Sequence, residues 1–221
     1  AVPLMVRGKL YGGIAFHYKD KHELDDETIQ LGLSLSNQAA LAIENARLYA
    51  LEKERRQIAE SFRGIVRRLN SSKPLAEILD YIVREARRLM EAEICTLHHV
   101  DYQAEFVRIE ASAGLPLPLR DIDGFPLLSG LADKEILARR PVAISDTPPG
   151  RSVIDPDLDP RIRRWREGLL LDHPAYLAVP LVVNDAVYGS LAFYFTVPQR
   201  FSAERVDLAL SLSEQAALAI D

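Results

Sequence analysis

Tyr176-Leu177-Ala178-Val179-Pro180-Leu181-Val182-Val183 and Val187-Tyr188-Gly189-Ser190-Leu191-Ala192-Phe193-Tyr194-Phe195 are two apolar, β-prone runs separated by Asn184-Asp185-Ala186. Such a pair predicts a hairpin. Ser202, with Glu204 close behind, is placed to cap a following helix that carries Leu210-Ser211-Leu212-Ser213 and Gln215-Ala216-Ala217-Leu218-Ala219-Ile220.

The same text stands at the N-terminus. Ala1-Val2-Pro3-Leu4 repeats Ala178 to Leu181, Leu10 to Phe16 repeats Val187 to Phe193, and Leu33-Ser34-Leu35-Ser36 with Gln38 to Ile43 repeats the last helix. The offset is 178 − 1 = 177 throughout, without a gap, and roughly half of the aligned positions are identical. That period suits a whole domain plus a connector and is far too long for a solenoid unit. The expected organisation is therefore residues 1–47 as the hairpin and last helix of a preceding domain, 48–60 as a helical linker and 61–221 as a complete domain. Ala1 falls inside a strand, which reads as a boundary within a longer tandem array.

Between the copies, cap-type residues at Asp25 to Thr28 open a stretch with no proline before Pro74, predicting one helix from Asp25 to about Leu69. At ~1.5 Å per residue this is a rod on the order of 65 Å long. Its Leu41, Glu44, Leu48, Leu51, Arg55, Ile58, Phe62, Ile65 and Leu69 alternate steps of three and four, a heptad seam broken at Glu44 and Arg55. A parallel homodimer along Leu41, Leu48, Leu51, Ile58, Phe62, Ile65 and Leu69 is expected; the competing reading packs the later residues under the sheet of the domain that follows.

Leu75 to Met90 shows helical spacing, and Ile94 to Val100 with Phe106 to Ser112 predicts a second hairpin. Residues 114–126 and 146–160 are rich in Pro, Gly and Asp and read as long irregular loops, with a short helix at about Gly130 to Arg139, a strand at Val142 to Ser145, and a helix from Pro160 to about Leu170. Long loops in compact domains are often functional, which points to these two segments as the place for a site.

The chain of 221 residues is 48% hydrophobic and 27% charged, ordinary globular composition. Its net charge of −5 speaks against nucleic acid as a partner. Cys95 alone forms no internal disulfide and no cysteine-based zinc site, which suits the cytoplasm. No apolar run approaches ~18 residues, so no membrane span is expected.

The order of elements, the Val179-Pro180-Leu181 strand end, the Tyr188-Gly189-Ser190-Leu191-Ala192-Phe193 strand and the Gln215 to Ile220 helix together resemble a GAF domain of bacterial signalling proteins. Ala42-Ile43-Glu44-Asn45-Ala46-Arg47-Leu48-Tyr49 is similar to the helix by which such domains feed the next module. The resemblance covers essentially the whole chain. It implies an α+β fold with an antiparallel sheet ordered 2-1-5-4-3, helices from both termini on one face and a loop-roofed pocket on the other. It also implies a regulatory, non-enzymatic sensor for an unidentified small molecule, acting on a kinase, phosphatase or nucleotide cyclase output domain; a ligand-free dimerisation and relay module is the alternative.

Cyclic-nucleotide-binding members carry Asn-Lys where this chain has Phe195-Thr196, and bilin-binding members attach the chromophore through a Cys where it has Arg161 to Arg166. Neither a cyclic nucleotide nor a covalent bilin is therefore expected. No catalytic or metal-ligating set is expected either, and His98 and His99 point to opposite faces of one strand. The candidate ligand residues are Phe125, Asp146, Arg151, Arg164, Trp165, Tyr176 and Phe193, with aromatics as apolar walls and arginines as countercharge for a carboxylate or phosphate.

Overall fold

The computed structural model describes residues 1–20, 23, 25–69, 73–116, 124–127, 131–146, 160, 169 and 172–221; of Glu54, Leu69 and Leu131 it describes the backbone alone. The chain divides into two compact units, Ala1–Glu60 and Ser61–Asp221. The expected linker, 48–60, is helical and falls within the first unit.

The first unit holds strands β1 (Val2–Val6) and β2 (Lys9–Ile14) and most of helix α1 (Asp26–Leu69), whose residues from Ser61 onward belong to the second. Arg7 and Gly8 have φ of 52° and 74°, the left-handed pair that a two-residue hairpin turn demands. The Asp25 carboxylate accepts the Thr28 N–H at 2.9 Å, satisfying one of the orphan donors at the start of α1.

The second unit is α2 (Leu75–Leu89), β3 (Ile94–Asp101), β4 (Phe106–Ala113), β5 (Gly124–Pro126), α3 (Leu131–Leu137), β6 (Val142–Ile144), β7 (Ala175–Val183), β8 (Ala186–Phe195) and α4 (Ala203–Ile220). Its strands form one antiparallel sheet in the order β5-β4-β3-β8-β7-β6. Strand β5 corrects the reading of 114–126 as wholly irregular. A Cβ on Gly124 would lie 1.9 Å from the Val107 carbonyl oxygen, so glycine lets β5 approach β4. Pro126 sits at this outer edge, where a missing N–H is tolerated. The helix expected from Pro160 to Leu170 lies outside the described residues except for Pro160 and Leu169.

Helix α2 buries Ile78, Leu79, Ile82, Val83 and Ala86, one face at i, i+4 spacing, and ends at Leu89, after which Glu91, with a φ of 49°, turns the chain toward β3. These side chains join Ala209, Leu212 and Ala216 of α4, and Ile65 of α1, on one face of the sheet. Cys95 and Leu97 of β3, Leu177, Val179 and Leu181 of β7, and Leu191, Phe193 and Phe195 of β8 supply the sheet side of this core. The opposite face carries a second cluster with Ile94, Val100, Val107, Phe125, Ala178, Ala192 and Tyr194, joined by Ile136 of α3 and by Leu169.

Ile65 is fully buried in the first cluster and Phe62 packs against it, so this part of the heptad seam is used by the domain's own core. That corrects the expectation that Ile65 faces a partner helix. Leu41, Leu48 and Leu51 are exposed, Ile58 is half-buried, and the side chain of Leu69 lies outside the described residues.

The repeat in the text is also a repeat in geometry. Strands β1 and β2 pair from Val2↔Ile14 to Val6↔Lys9 with a register break at Leu4/Met5, and β7 and β8 pair from Val179↔Leu191 to Val183↔Ala186 with the break at Leu181/Val182. The Ser36 hydroxyl donates to the Pro3 carbonyl at 2.5 Å and the Ser213 hydroxyl to the Pro180 carbonyl at 2.7 Å. Asp25 caps α1 as Ser202 caps α4. Each of these features recurs 177 positions later in the sequence.

Candidate functional site

Because successive side chains of a strand point to opposite faces, alternate residues of the three central strands form the surface away from the helices. The register arranges them as a grid of three rows: His98, Ser190 and Pro180; Thr96, Ala192 and Ala178; Ile94, Tyr194 and Tyr176. Phe125, Ile136 and Leu169 pack over this side of the sheet.

The first row is polar. His98 Nδ1 and Ser190 Oγ are 3.1 Å apart in a buried hydrogen bond, and Phe125 meets the His98 ring edge-on with centroids 5.5 Å apart. The third row is aromatic, with Tyr176 and Tyr194 rings 5.0 Å apart. His173 lies against Tyr194 at 6.3 Å and its Nδ1–H donates to the Leu169 carbonyl at 2.8 Å, which holds this ring as one tautomer. The middle row is low, two alanines beside Thr96, and the buried Thr96 hydroxyl has no hydrogen-bond partner among the described residues. None of the nine grid residues carries a carboxylate, an ammonium or a guanidinium.

Of the residues singled out from the sequence, Phe125 is buried over the grid and Tyr176 is a half-buried member of it. Asp146 is exposed just beyond β6. Arg151, Arg164 and Trp165 lie outside the described residues. Phe193 is corrected: it is fully buried among the helices, on the other face from Tyr176, because it alternates with Ala192 and Tyr194 along β8. Sequence reasoning did not single out Thr96 or Ser190; the available signal was a hydroxyl with apolar or glycine neighbours on both sides in each of two central strands, Cys95-Thr96-Leu97 and Gly189-Ser190-Leu191.

The other histidine of β3 has a different role. His99 stacks on Tyr188 at 4.3 Å and lies 3.4 Å from Glu110, which also accepts the Tyr188 hydroxyl at 2.7 Å. Burial and the Glu110 carboxylate beside it push the Tyr188 phenol up from its ordinary value. Cys95 is fully buried on the helix side and burial raises its thiol well above the usual range, so it is an inert core residue. Among the described residues no three His, Cys, Asp or Glu side chains are grouped to hold a metal ion. A cleft of about 530 Å³ runs between α2 and β4, lined by Asp80, Arg84 and Arg87 on one side and by the stretch from Ile109 through Glu110 to Leu115 on the other. Its two acids and two bases balance, so it favours neither sign of ligand. No described helix is long and apolar enough to cross a membrane.

A family model described as GAF domain matches residues 72–221. Among solved structures, the GAF domain of an Acinetobacter phosphoenolpyruvate-protein phosphotransferase superposes with a TM-score of 0.58 at 22% identity, over 73% of this chain and 91% of that one. A GAF domain/HD domain protein from Geobacter sulfurreducens gives 0.54 at 24% identity, over 68% and 95%. The chromophore-binding domain of a bacteriophytochrome from R. palustris gives 0.53 at 15% identity, over 73% and 60%. At these identities the likeness is one of fold.

Proposed function

The chain belongs to the GAF domain family, and from that premise we propose that it is a regulatory, non-catalytic sensor segment of a multi-domain bacterial signalling protein. The second unit binds a small molecule on the grid side of its sheet, and the long helix α1 relays the result toward an output domain such as a kinase, phosphatase or nucleotide cyclase. The observation that carries the sensing reading is the polar pair His98–Ser190 beside the unpartnered Thr96 hydroxyl, inside an otherwise apolar and aromatic face. A purely structural core gains nothing from such groups, since a buried hydroxyl without a partner costs about 1–3 kcal/mol.

The first unit is, on this reading, the closing hairpin and helix of a second GAF module. Supporting it are the shared register, bulge, serine hydrogen bond and helix cap in the two units. Phe16 and Leu35 are exposed in the first unit, whereas Phe193 and Leu212, 177 positions later, are fully buried. The exposed residues are the ones that a complete module would cover.

A thermal-shift screen of metabolites, nucleotides and tetrapyrroles against the whole chain tests the sensing reading. At a ligand concentration a hundredfold above its Kd the stabilisation is about 2.7 kcal/mol, a shift of several degrees. No shift with any compound would favour the ligand-free relay.

The relay is a parallel homodimer through Leu41, Leu48 and Leu51. Leu41 and its counterpart Leu218 are each 61% exposed, so the same helix position is left uncovered in both repeats. Light scattering at micromolar concentration is expected to give a dimer for the wild type and a monomer for the double variant Leu48→Asp and Leu51→Asp, with the thermal midpoint of the second unit unchanged. A monomeric wild type would sink the dimer.

A further inference from the structure

We propose that the tip of each closing hairpin latches the helix that leaves it, and that in α1 this latch keeps the charge of Glu44 out of the dimer seam. The inference rests on the parallel-dimer reading and names what regulates that interface. In the first unit the Arg7 guanidinium, at the β1–β2 turn, donates from Nε to Glu44 Oε1 at 2.7 Å. In the second unit the Asn184 amide, at the β7–β8 turn, donates from Nδ2 to Asp221 Oδ1, also at 2.7 Å. The offsets are 184 − 7 = 177 and 221 − 44 = 177, so both contacts join the same pair of positions in the repeat. Both residues differ between the copies and the contact survives: a long guanidinium meets the longer carboxylate, a short amide the shorter one. Exposed pairs of this kind add little to stability, so a compensated change at both ends points to another role.

The turn is shaped to present that side chain. Arg7 and Gly8 have φ of 52° and 74°, and Asn184 and Asp185 have 48° and 58°, the same left-handed pair. In the second unit the turn is also gripped from the α3 side, where the Arg139 guanidinium donates to the Asp185 carbonyl. Ile136 of α3 is buried in the cluster over the grid, whereas α4 packs on the opposite face of the sheet. One two-residue turn thus joins an element on the grid face to the end of α4, a contiguous route from a shift of α3 to the helix exit.

The latch also accounts for the break in the heptad seam at Glu44. Ser36 and Ala40 are buried, with Ser36 bonded to Pro3 of β1, whereas Leu41 and Leu48 are exposed. Glu44 follows Ala40 by four residues and Leu41 by three, and precedes Leu48 by four, so it stands where the hairpin face of α1 meets the seam. The exposed Leu218 precedes Asp221 by the same three residues. In a parallel dimer the Glu44 side chains of the two copies come to one level. Tied to Arg7, each faces its own hairpin and carries its countercharge. Released, two carboxylates meet across the seam and repel.

Arg7→Ala, Glu44→Gln and the double variant of the whole chain test this. The dimer dissociation constant is read by sedimentation equilibrium at about 0.1 M and about 1 M salt, where the screening lengths are about 10 and 3 Å. At the lower salt Arg7→Ala is expected to weaken the dimer about five- to tenfold, and at the higher salt less than about twofold. In the Glu44→Gln background Arg7→Ala is expected to change the constant less than about twofold, since no charge is left to release. The thermal midpoint of the second unit should stay at its wild-type value in every variant, because neither side chain is part of a buried core. A dimer indifferent to Arg7→Ala, or a loss that neither salt nor Glu44→Gln removes, overturns the latch and leaves the dimer standing. A monomeric wild type removes dimer and latch together.

Discussion

Gly189→Ala is expected to destabilise the second unit by about 3 kcal/mol or more, lowering its thermal midpoint by roughly 6–12 °C. Gly189 lies in β8 opposite His99, and a Cβ there would sit 1.8 Å from the His98 carbonyl oxygen and 2.7 Å from its carbon. Both are backbone atoms of β3, a central strand held by ladders to β4 on one side and β8 on the other. Neither strand can yield without breaking hydrogen bonds on its far side. The counterpart 177 positions earlier, Gly12, has nothing within 4 Å of its would-be Cβ. Gly12→Ala in this chain is therefore expected to change stability by less than about 0.5 kcal/mol. Urea denaturation followed by circular dichroism measures both. The comparison also tests the tandem reading: in a longer polypeptide that places a complete module around β1 and β2, Gly12→Ala should become as damaging as Gly189→Ala. If it stays harmless there, β2 has no second strand on the edge away from β1 and the first unit is not the end of a GAF module.

Phe193→Ala is the second large effect, expected to cost about 3–5 kcal/mol in the ligand-free protein. Phe193 is fully buried on the helix side of the sheet, in one core cluster with Leu177, Leu191, Ala209 and Leu212. Removing its ring leaves a cavity between sheet and helices that the sheet backbone cannot collapse to fill. A residue lining a ligand pocket would behave otherwise, weakening ligand binding at little cost to the empty protein. Ligand-free denaturation of Phe193→Ala separates the two, and a loss below about 1 kcal/mol would return Phe193 to the ligand side.

Much of the architecture could be read from residues alone. The hairpins, the long helix, α2 and the capped α4 announce themselves by alternation, by helical spacing and by cap residues, all of which act within a few residues of chain. Strand β5 escaped because three residues, Gly124-Phe125-Pro126, carry too little pattern; what makes them a strand is the close approach to Val107 that Gly124 permits. The candidate site was legible only in part. Phe125 and Tyr176 are on the grid side of the sheet, as expected for aromatic residues near the loops, but the same logic chose Phe193, which is on the helix side.

What sequence by itself determined is the hairpins, the long helix, α2 and α4, their order, and the duplication that relates Ala1–Glu44 to Ala178–Asp221, because local backbone preference and textual identity need no third dimension. The face to which each strand residue points was decided by tertiary structure. Strands β7 and β8 are apolar on both faces, buried under helices on one side and under Phe125, Ile136 and Leu169 on the other, so no polar alternation marks the phase. Register breaks at Leu97/His98 and Leu181/Val182 then shift that phase within a strand. Only the pairing of strands brings Thr96, Ala192 and Ala178 into one row, and only the packing of α1 against the sheet draws Ile65 out of a heptad seam and into a core.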